Sequence, residues 1–354
     1  MKMKQAILKS KEIFVGLEDS KTTWKLCVRS NNMEVDITSM RADYAVLQAY
    51  FENRFPGCKI HVIYEAGFKG FGLYDKLISD GIDCKVIPPH LVTEAKVNRV
   101  KTDKRDARRL AKVLEHDDCD SYCNVPDKER REDRQVSRTM SGIKKDIKVY
   151  RNRIHGFLKF HGIAVPEKKS RWGKKDFQNL RKLSLSESLT LSLEMLLKTL
   201  EFLWDTEKQL MGKMMAFLKK ERYASTIKIF QSMPGIGHLT AVRLVLEWGE
   251  NLARFHSGKA IAAFIGLTGR ENSTGEKVDR GGLTRLGNRL VRCWFVESAW
   301  MAIKKDRALL DKFMRVWSSS GKRKVAIVAV ARMMAVRLRA CVLSNTPYKL
   351  GVVQ

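Results

Sequence analysis

The order of candidate strands and helices in the first third limits the fold more than any other feature. Ile13-Phe14-Val15-Gly16-Leu17 is a short apolar run, and Thr23-Trp24-Lys25-Leu26-Cys27-Val28 alternates as a second strand. Glu34-Val35-Asp36-Ile37-Thr38 supplies a third strand before any helical pattern begins. A helix is predicted from about Arg41 to Phe55, ended by Pro56-Gly57. Lys59-Ile60-His61-Val62-Ile63-Tyr64 reads as a buried strand, and residues 71–79 as a helix. Lys85-Val86-Ile87 is a strand stopped by Pro88-Pro89, and a helix runs from Thr102 to about His116. Three strands in succession, then strand–helix units, predict a mixed α/β domain over residues 9–134 rather than a pure doubly wound sheet.

Residues 135–222 change character. Gly and Pro become sparse, charge is dense, and apolar residues recur at three- and four-residue spacing, as at Leu191, Leu193, Leu196, Leu197, Leu200 and Leu203. Long helices packed as a hairpin or coiled coil are expected, with a break near Gly162–Lys175, where Pro166 interrupts. A mainly α region follows over residues 223–354. Near its start, Met233-Pro234-Gly235-Ile236-Gly237-His238 precedes a helical apolar pattern, which is how a helix-hairpin-helix element reads. Gly235 and Gly237 permit positive φ, and the next helix offers free N–H groups to a phosphate. The competing reading is an ordinary tight turn between helices. Further on, Lys322 to Cys341 forms an amphipathic helix bearing Arg332, Arg337 and Arg339, and Trp294 and Trp300 are assigned to the core.

Charge decides the partner class. Lys and Arg number 67 against 39 Asp and Glu, a formal charge of +28, which repels itself and attracts polyanions. Nucleic acid is the expected partner. No run of 18 apolar residues and no signal-peptide pattern occurs, so neither a membrane nor export is expected and the chain is placed in the cytoplasm. The seven cysteines are scattered, against a disulfide framework. His116, Cys119 and Cys123 lack a second ligand pair for zinc.

Four carboxylates stand out by placement. Glu18 ends the first strand beside Asp19, and Glu65 ends the strand Ile60–Tyr64. Asp103 and Asp106 sit three apart at a helix start and so share one face. Carboxylates converging at one sheet edge repel unless a cation neutralises them, and such hard oxygen ligands suit Mg2+. The competing reading pairs Asp103 and Asp106 with their basic neighbours Lys101, Lys104, Arg105, Arg108 and Arg109.

Several blocks resemble a known family. Val15-Gly16-Leu17-Glu18-Asp19-Ser20-Lys21, Tyr64-Glu65-Ala66-Gly67 and Lys101-Thr102-Asp103-Lys104-Arg105-Asp106-Ala107-Arg108 are similar to blocks of DEDD transposases, insertion-sequence recombinases related to the Piv DNA invertases. So are Ser232 to Gly237, Phe264-Ile265-Gly266-Leu267-Thr268, Asn272-Ser273-Thr274-Gly275-Glu276-Lys277 and Thr284-Arg285-Leu286-Gly287-Asn288. The resemblance covers nearly the whole chain. It implies a RuvC-like, ribonuclease H-like N-terminal domain whose carboxylates Glu18, Glu65, Asp103 and Asp106 bind Mg2+. It implies a serine of the C-terminal transposase domain, Ser273, that completes a composite site and forms a phosphoserine with the cut strand. It also implies a structured noncoding bridge RNA that pairs with double-stranded donor and target DNA, a tetramer built as a dimer of dimers, and association with the bacterial nucleoid when active.

Two positions depart from the family. Glu18 stands where Asp is usual, and ungapped counting puts Thr274 at the nucleophile position, with Ser273 fitting after a one-residue slip. A primary hydroxyl attacks more easily than a hindered secondary one, which favours Ser273. Arg270, Lys277, Arg280, Arg285, Arg289 and Arg292 surround this loop as candidate phosphate contacts. The alternatives are a Piv-like site-specific invertase, a junction-resolving nuclease using metal-bound water, and a catalytically impaired nucleic-acid-binding homologue.

Overall fold

Alternation in the early strands becomes a five-stranded sheet in the computed structural model, which describes residues 12–91, 102–119, 121–164, 172–271, 280–284 and 286–351. Strands β1 (Glu12–Asp19), β2 (Thr23–Ser30) and β3 (Met33–Arg41) form an antiparallel meander. Strands β4 (Lys59–Glu65) and β5 (Asp83–Ile87) add in parallel beyond β1, giving the order β3-β2-β1-β4-β5. Helices α1 (Tyr44–Arg54) and α2 (Gly72–Ser79) interleave with these strands, and α3 (Asp103–His116) follows them. The first helix begins later than Arg41 because β3 runs on to pair Arg41 with Thr23, and the Asp43 side chain then caps the helix at Ala45 N, 3.0 Å.

Successive strand residues point to opposite faces, so the sheet has two cores. On one face Ile13, Val15, Leu17, Leu26, Val62, Tyr64 and Val86 pack with Leu47, Phe51 and Leu77 of α1 and α2. On the other, Ile63 and Ile87 meet Leu110 and Leu114 of α3, and Cys27 meets Ala107 and Ala111. Gly16 sets the spacing of that second layer. A Cβ there would strike the Ala107 carbonyl oxygen and the Ala111 nitrogen, so α3 crosses directly on the β1 backbone.

Residues 126–354 form a second unit. Its first helix, α4 (Lys128–Phe160), is capped by Asp127, which accepts from Arg130 N at 2.9 Å, and runs 33 residues without a break. A boundary at 134 would cut this helix, and the units divide instead at Val125/Pro126. The middle region is not a third unit. Met140 of α4 and Met214 of α6 (Glu187–Ala216) belong to the same core as the C-terminal helices. Along the rest of their length α4 and α6 pack antiparallel, Ile147, Ile154 and Leu158 against Leu193, Leu197, Leu200 and Leu203, with Lys144 Nζ 3.6 Å from Glu207. Trp172, just before α5 (Lys174–Arg181), and Phe177 within it join this core. Leu191 points outward.

The remaining elements are α7 (Glu221–Gln231), α8 (His238–Trp248), α9 (Gly258–Phe264), β6 (Gly269–Glu271), β7 (Arg280–Leu283), α10 (Arg289–Ala302), α11 (Arg307–Ser320) and α12 (Arg323–Leu343). Helix α8 is buried on every side from Ala241 to Trp248 and is the hub the others enclose. Trp294 and Trp300 pack at the margin of that core. Two arginines of α12 turn inward. Arg337 Nη1 donates to the Tyr348 hydroxyl at 2.7 Å, and Arg339 Nε to the Phe255 carbonyl at 2.6 Å. No helix among the described residues is long and apolar enough to cross a membrane.

Candidate functional site

The carboxylates group by strand alternation. Glu18 lies two residues beyond Gly16 and therefore on the α3 face of the sheet. Leu17 pairs with Tyr64, so Glu18 and Glu65 are the next residues of neighbouring parallel strands. Ile63 faces α3, and the period of two puts Glu65 on that face also. Asp106 sits on α3 and is only 7% exposed, beside the buried stripe Ala107, Leu110, Ala111 and Leu114. Asp103 occupies the exposed first turn, where the helix dipole favours a negative charge.

Asp106 meets Arg109 Nη2 at 3.3 Å, so one of the neighbouring arginines does serve as its ion-pair partner. Asp19 lies on the opposite face. Its Oδ1 accepts from Trp24 Nε1 at 2.5 Å and from Lys69 Nζ at 2.6 Å, which separates it from Glu18 and Glu65. Among the described residues no three His, Cys, Asp or Glu side chains gather closely enough to cage a metal ion. The donor set is nonetheless all carboxylate oxygen, which fits a hard divalent cation and not a soft one. Glu18, Glu65 and Asp106 thus share one side of the sheet without closing into a cage.

In the second unit, residues 232–237 join α7 to α8. Gly235 has φ +83°, and a Cβ on it would strike the Ser298 carbonyl oxygen on α10, so this glycine is required by packing. Gly237 differs. It is the N-cap of α8 with φ −85°, nothing lies within 4 Å of a Cβ there, and no side chain caps the helix. The leading N–H groups of α8 therefore have no acceptor from an N-cap side chain.

The candidate nucleophile loop lies between β6 and β7. Ser273, Thr274 and Lys277, like Arg285, are outside the described residues. Arg270 is exposed on β6, and the backbone of Arg280 pairs with Glu271. The base of the loop is tightly built. Gly287 has φ +87°, and a Cβ on it would meet the Phe264 and Ala263 carbonyls at 2.5 and 2.7 Å. Arg292 Nη1 donates to the Ile265 and Leu286 carbonyls, both at 3.3 Å, and is committed to holding backbone rather than phosphate. Asn288 Oδ1 caps α10 at Leu290 N and Val291 N, while Nδ2 donates to Glu247 Oε2 at 2.9 Å.

Glu247 went unnoticed in the sequence. It is 3% exposed and accepts a two-pronged pair from Arg138, Nε at 2.9 Å and Nη2 at 3.0 Å. The available signal was a lone carboxylate in the apolar run Leu244-Val245-Leu246-Glu247-Trp248, since a buried charge requires partners.

Comparison with known proteins gives the family. Residues 15–163, which include all four carboxylates, match the DEDD transposase family of IS110 type, and residues 227–315 match the family described as Transposase IS116/IS110/IS902. The Sinorhizobium fredii protein y4qE is 26% identical over 343 residues, covering 94% of this chain and 82% of that protein. The transposase for insertion sequence element IS1111A of Coxiella burnetii is 24% identical, covering 80% of this chain and 75% of its own length. The transposase for insertion sequence element IS1533 of Leptospira borgpetersenii is 23% identical over 246 residues, 67% of this chain and 70% of its own length. With one family spanning the carboxylate unit and the other the Gly235 turn and the hairpin, the chain belongs to the IS110 family of DEDD transposases.

Proposed function

We propose that this chain is the recombinase of an insertion sequence, cutting donor and target DNA and rejoining them through a phosphoserine. The observation that carries the reading is the placement of Glu18 and Glu65 one residue beyond the last paired positions, Leu17 and Tyr64, of adjacent parallel strands, on the face covered by the helix bearing Asp106. The strand order also resembles that of RuvC-like and other ribonuclease H-like domains. Glu18, Glu65, Asp103 and Asp106 are assigned as ligands of Mg2+. When bound, the ion supplies a Lewis acid that polarises a phosphoryl oxygen and steadies the leaving oxyanion.

Ser273 is assigned as the nucleophile. Its Oγ forms a bond to phosphorus as the bond to a deoxyribose oxygen breaks, the serine proton is lost to solvent or a base, and the leaving oxygen takes one up. Attack by the hydroxyl of a second strand on the phosphoserine reverses the step, so the phosphodiester count is conserved without a nucleotide cofactor. Arg270, Lys277, Arg280 and Arg285 neutralise phosphates around the loop, and Gly235 and Gly237 shape a helix-hairpin-helix turn whose α8 N–H groups meet a backbone phosphate. The α4–α6 pair acts as a coiled coil in a tetramer of two dimers. Target choice is assigned to a bridge RNA, through base pairing.

Covalent trapping on DNA carrying the element's ends tests the chemistry. Ser273→Ala should abolish the protein–DNA adduct while Thr274→Ala retains it; the reverse pattern moves the nucleophile to Thr274. Chelation of divalent cations should stop adduct formation. Sequencing the RNA that co-purifies from a host carrying the flanking DNA should return one discrete structured species, and its absence removes the guide from the reading.

A further inference from the structure

Three arginines of α4, Arg130, Arg134 and Arg138, are spaced four apart and so line one face of the helix. The outer two have partners from the end of α8 and the turn after it. Arg138 holds Glu247, and Arg130 lies across Gly249 with Nη1 3.5 Å from Glu250. Arg134, between them and half-buried, makes no hydrogen bond or ion pair among the described residues. A fourth guanidinium closes the group. Arg254 stacks on Phe255 and Phe264, at 4.2 and 5.0 Å from their ring centres, and donates Nη2 to the Trp248 carbonyl at 3.0 Å. Its Nε is buried without a partner, as is that of Arg130.

Four guanidiniums therefore share two carboxylates, Glu247 and Glu250, and Glu250 is also bound by Arg222. Burial and the charges of Arg130 and Arg134 bring Arg254 down to about 10, and burial with the charge of Arg138 lowers Arg134 despite the opposing attraction of Glu247. A fold gains nothing from like charges held together in a half-dry pocket unless an anion joins them.

We propose that Arg134, flanked by Arg130, Arg138 and Arg254, is a binding site for a backbone phosphate of DNA. The ligand is assigned to DNA because Glu247 ties Arg138 to Asn288, and Asn288 anchors the chain just after the β6–β7 hairpin whose loop is assigned the nucleophile. This inference rests on the recombinase reading and adds a specific contact to it.

The test uses the full chain, a fluorescein-labelled mixed-sequence DNA duplex, and anisotropy across a salt series. Each phosphate contact contributes about −0.9 to the slope of log Kobs against log salt, so Arg134→Gln should make the slope shallower by about one. Arg134→Lys should restore most of it. The same Arg134→Gln protein should melt at the native temperature or above, because like-charge repulsion is relieved and no bond of the fold is lost. A lowered melting temperature would mark Arg134 as structural and overturn the proposal, as would an unchanged slope. Arg307→Gln, whose ion-pair partner is Asp311 on its own helix, is the control for bulk charge; an equal change there overturns the site. A slope change with labelled transfer RNA but not with the duplex overturns the assignment to DNA. Failure of the native chain to bind the duplex would overturn this site and the recombinase reading together, whereas native binding with an unaltered variant slope removes the site alone.

Discussion

Replacing Gly16 by alanine tests whether α3 is positioned by the β1 backbone. The new Cβ would strike the Ala107 oxygen and Ala111 nitrogen and sit 2.9 Å from Leu110 Cβ, against about 3.5–4.0 Å for an unstrained carbon contact. Two of those three neighbours are backbone, which cannot escape by changing rotamer, so α3 must withdraw by about 1 Å. Overpacking costs about 1–3 kcal/mol, and the rigidity of the neighbours puts this change near 3 kcal/mol. For a unit of this size that lowers the melting transition by roughly 10 °C, which calorimetry on the full chain reads directly. Withdrawal of α3 also moves Asp106 away from Glu18 and Glu65. Displacement of about 1 Å at a reacting centre costs on the order of 100-fold in rate, so adduct formation should fall further than stability does. If Gly16→Ala melts within about 2 °C of the native chain and keeps its activity, the close approach of α3 to β1 does not govern the carboxylate edge.

Three further outcomes are expected. Glu247→Ala should cost about 2–4 kcal/mol in urea unfolding, below the figure for a fully buried pair because the Arg138 side chain is 44% exposed, and Glu247→Gln should cost less. Gly235→Ala should be severely destabilising, since its φ is +83° and Ser298 blocks the Cβ, whereas Gly237→Ala should cost less than about 1 kcal/mol because the space is open; equal losses would contradict this. Hydrogen bonds from Arg222 hold the Asp127 carboxyl well below the usual range, so its contribution is complete above about pH 4 and is lost as pH falls through the lowered value. Acid unfolding monitored by circular dichroism should therefore show a shallower fall below pH 4 in Arg222→Gln; an unchanged curve would remove Asp127 from the acid response.

Much of the first unit was legible because its signals are local. The alternation in β1 and β2, the proline stops and the acidic helix start at Asp103 each depend on a few neighbouring residues, and the elements formed within a few residues of where the pattern put them. The candidate carboxylates could be named for the same reason, since strand ends and helix starts are visible positions. The boundary between units was not legible. Whether α4 belongs with the sheet or with the later helices depends on Met140 meeting the core of α7 to α12, a contact with residues far along the chain.

Sequence by itself determined the polyanion-seeking charge, the element order, the family blocks and the identity of the candidate acids. The strand period already set Asp19 opposite Glu18; tertiary structure alone decided that α3 covers the face of Glu18 and Glu65. It also decided which arginines are committed. Arg292, Arg337 and Arg339 look like surface cations in the sequence but hold backbone and side-chain oxygens, while Arg134 is left among like charges. A charge count is additive along a chain, but the availability of a charge depends on what lies within hydrogen-bond reach, and that is set only when distant segments pack.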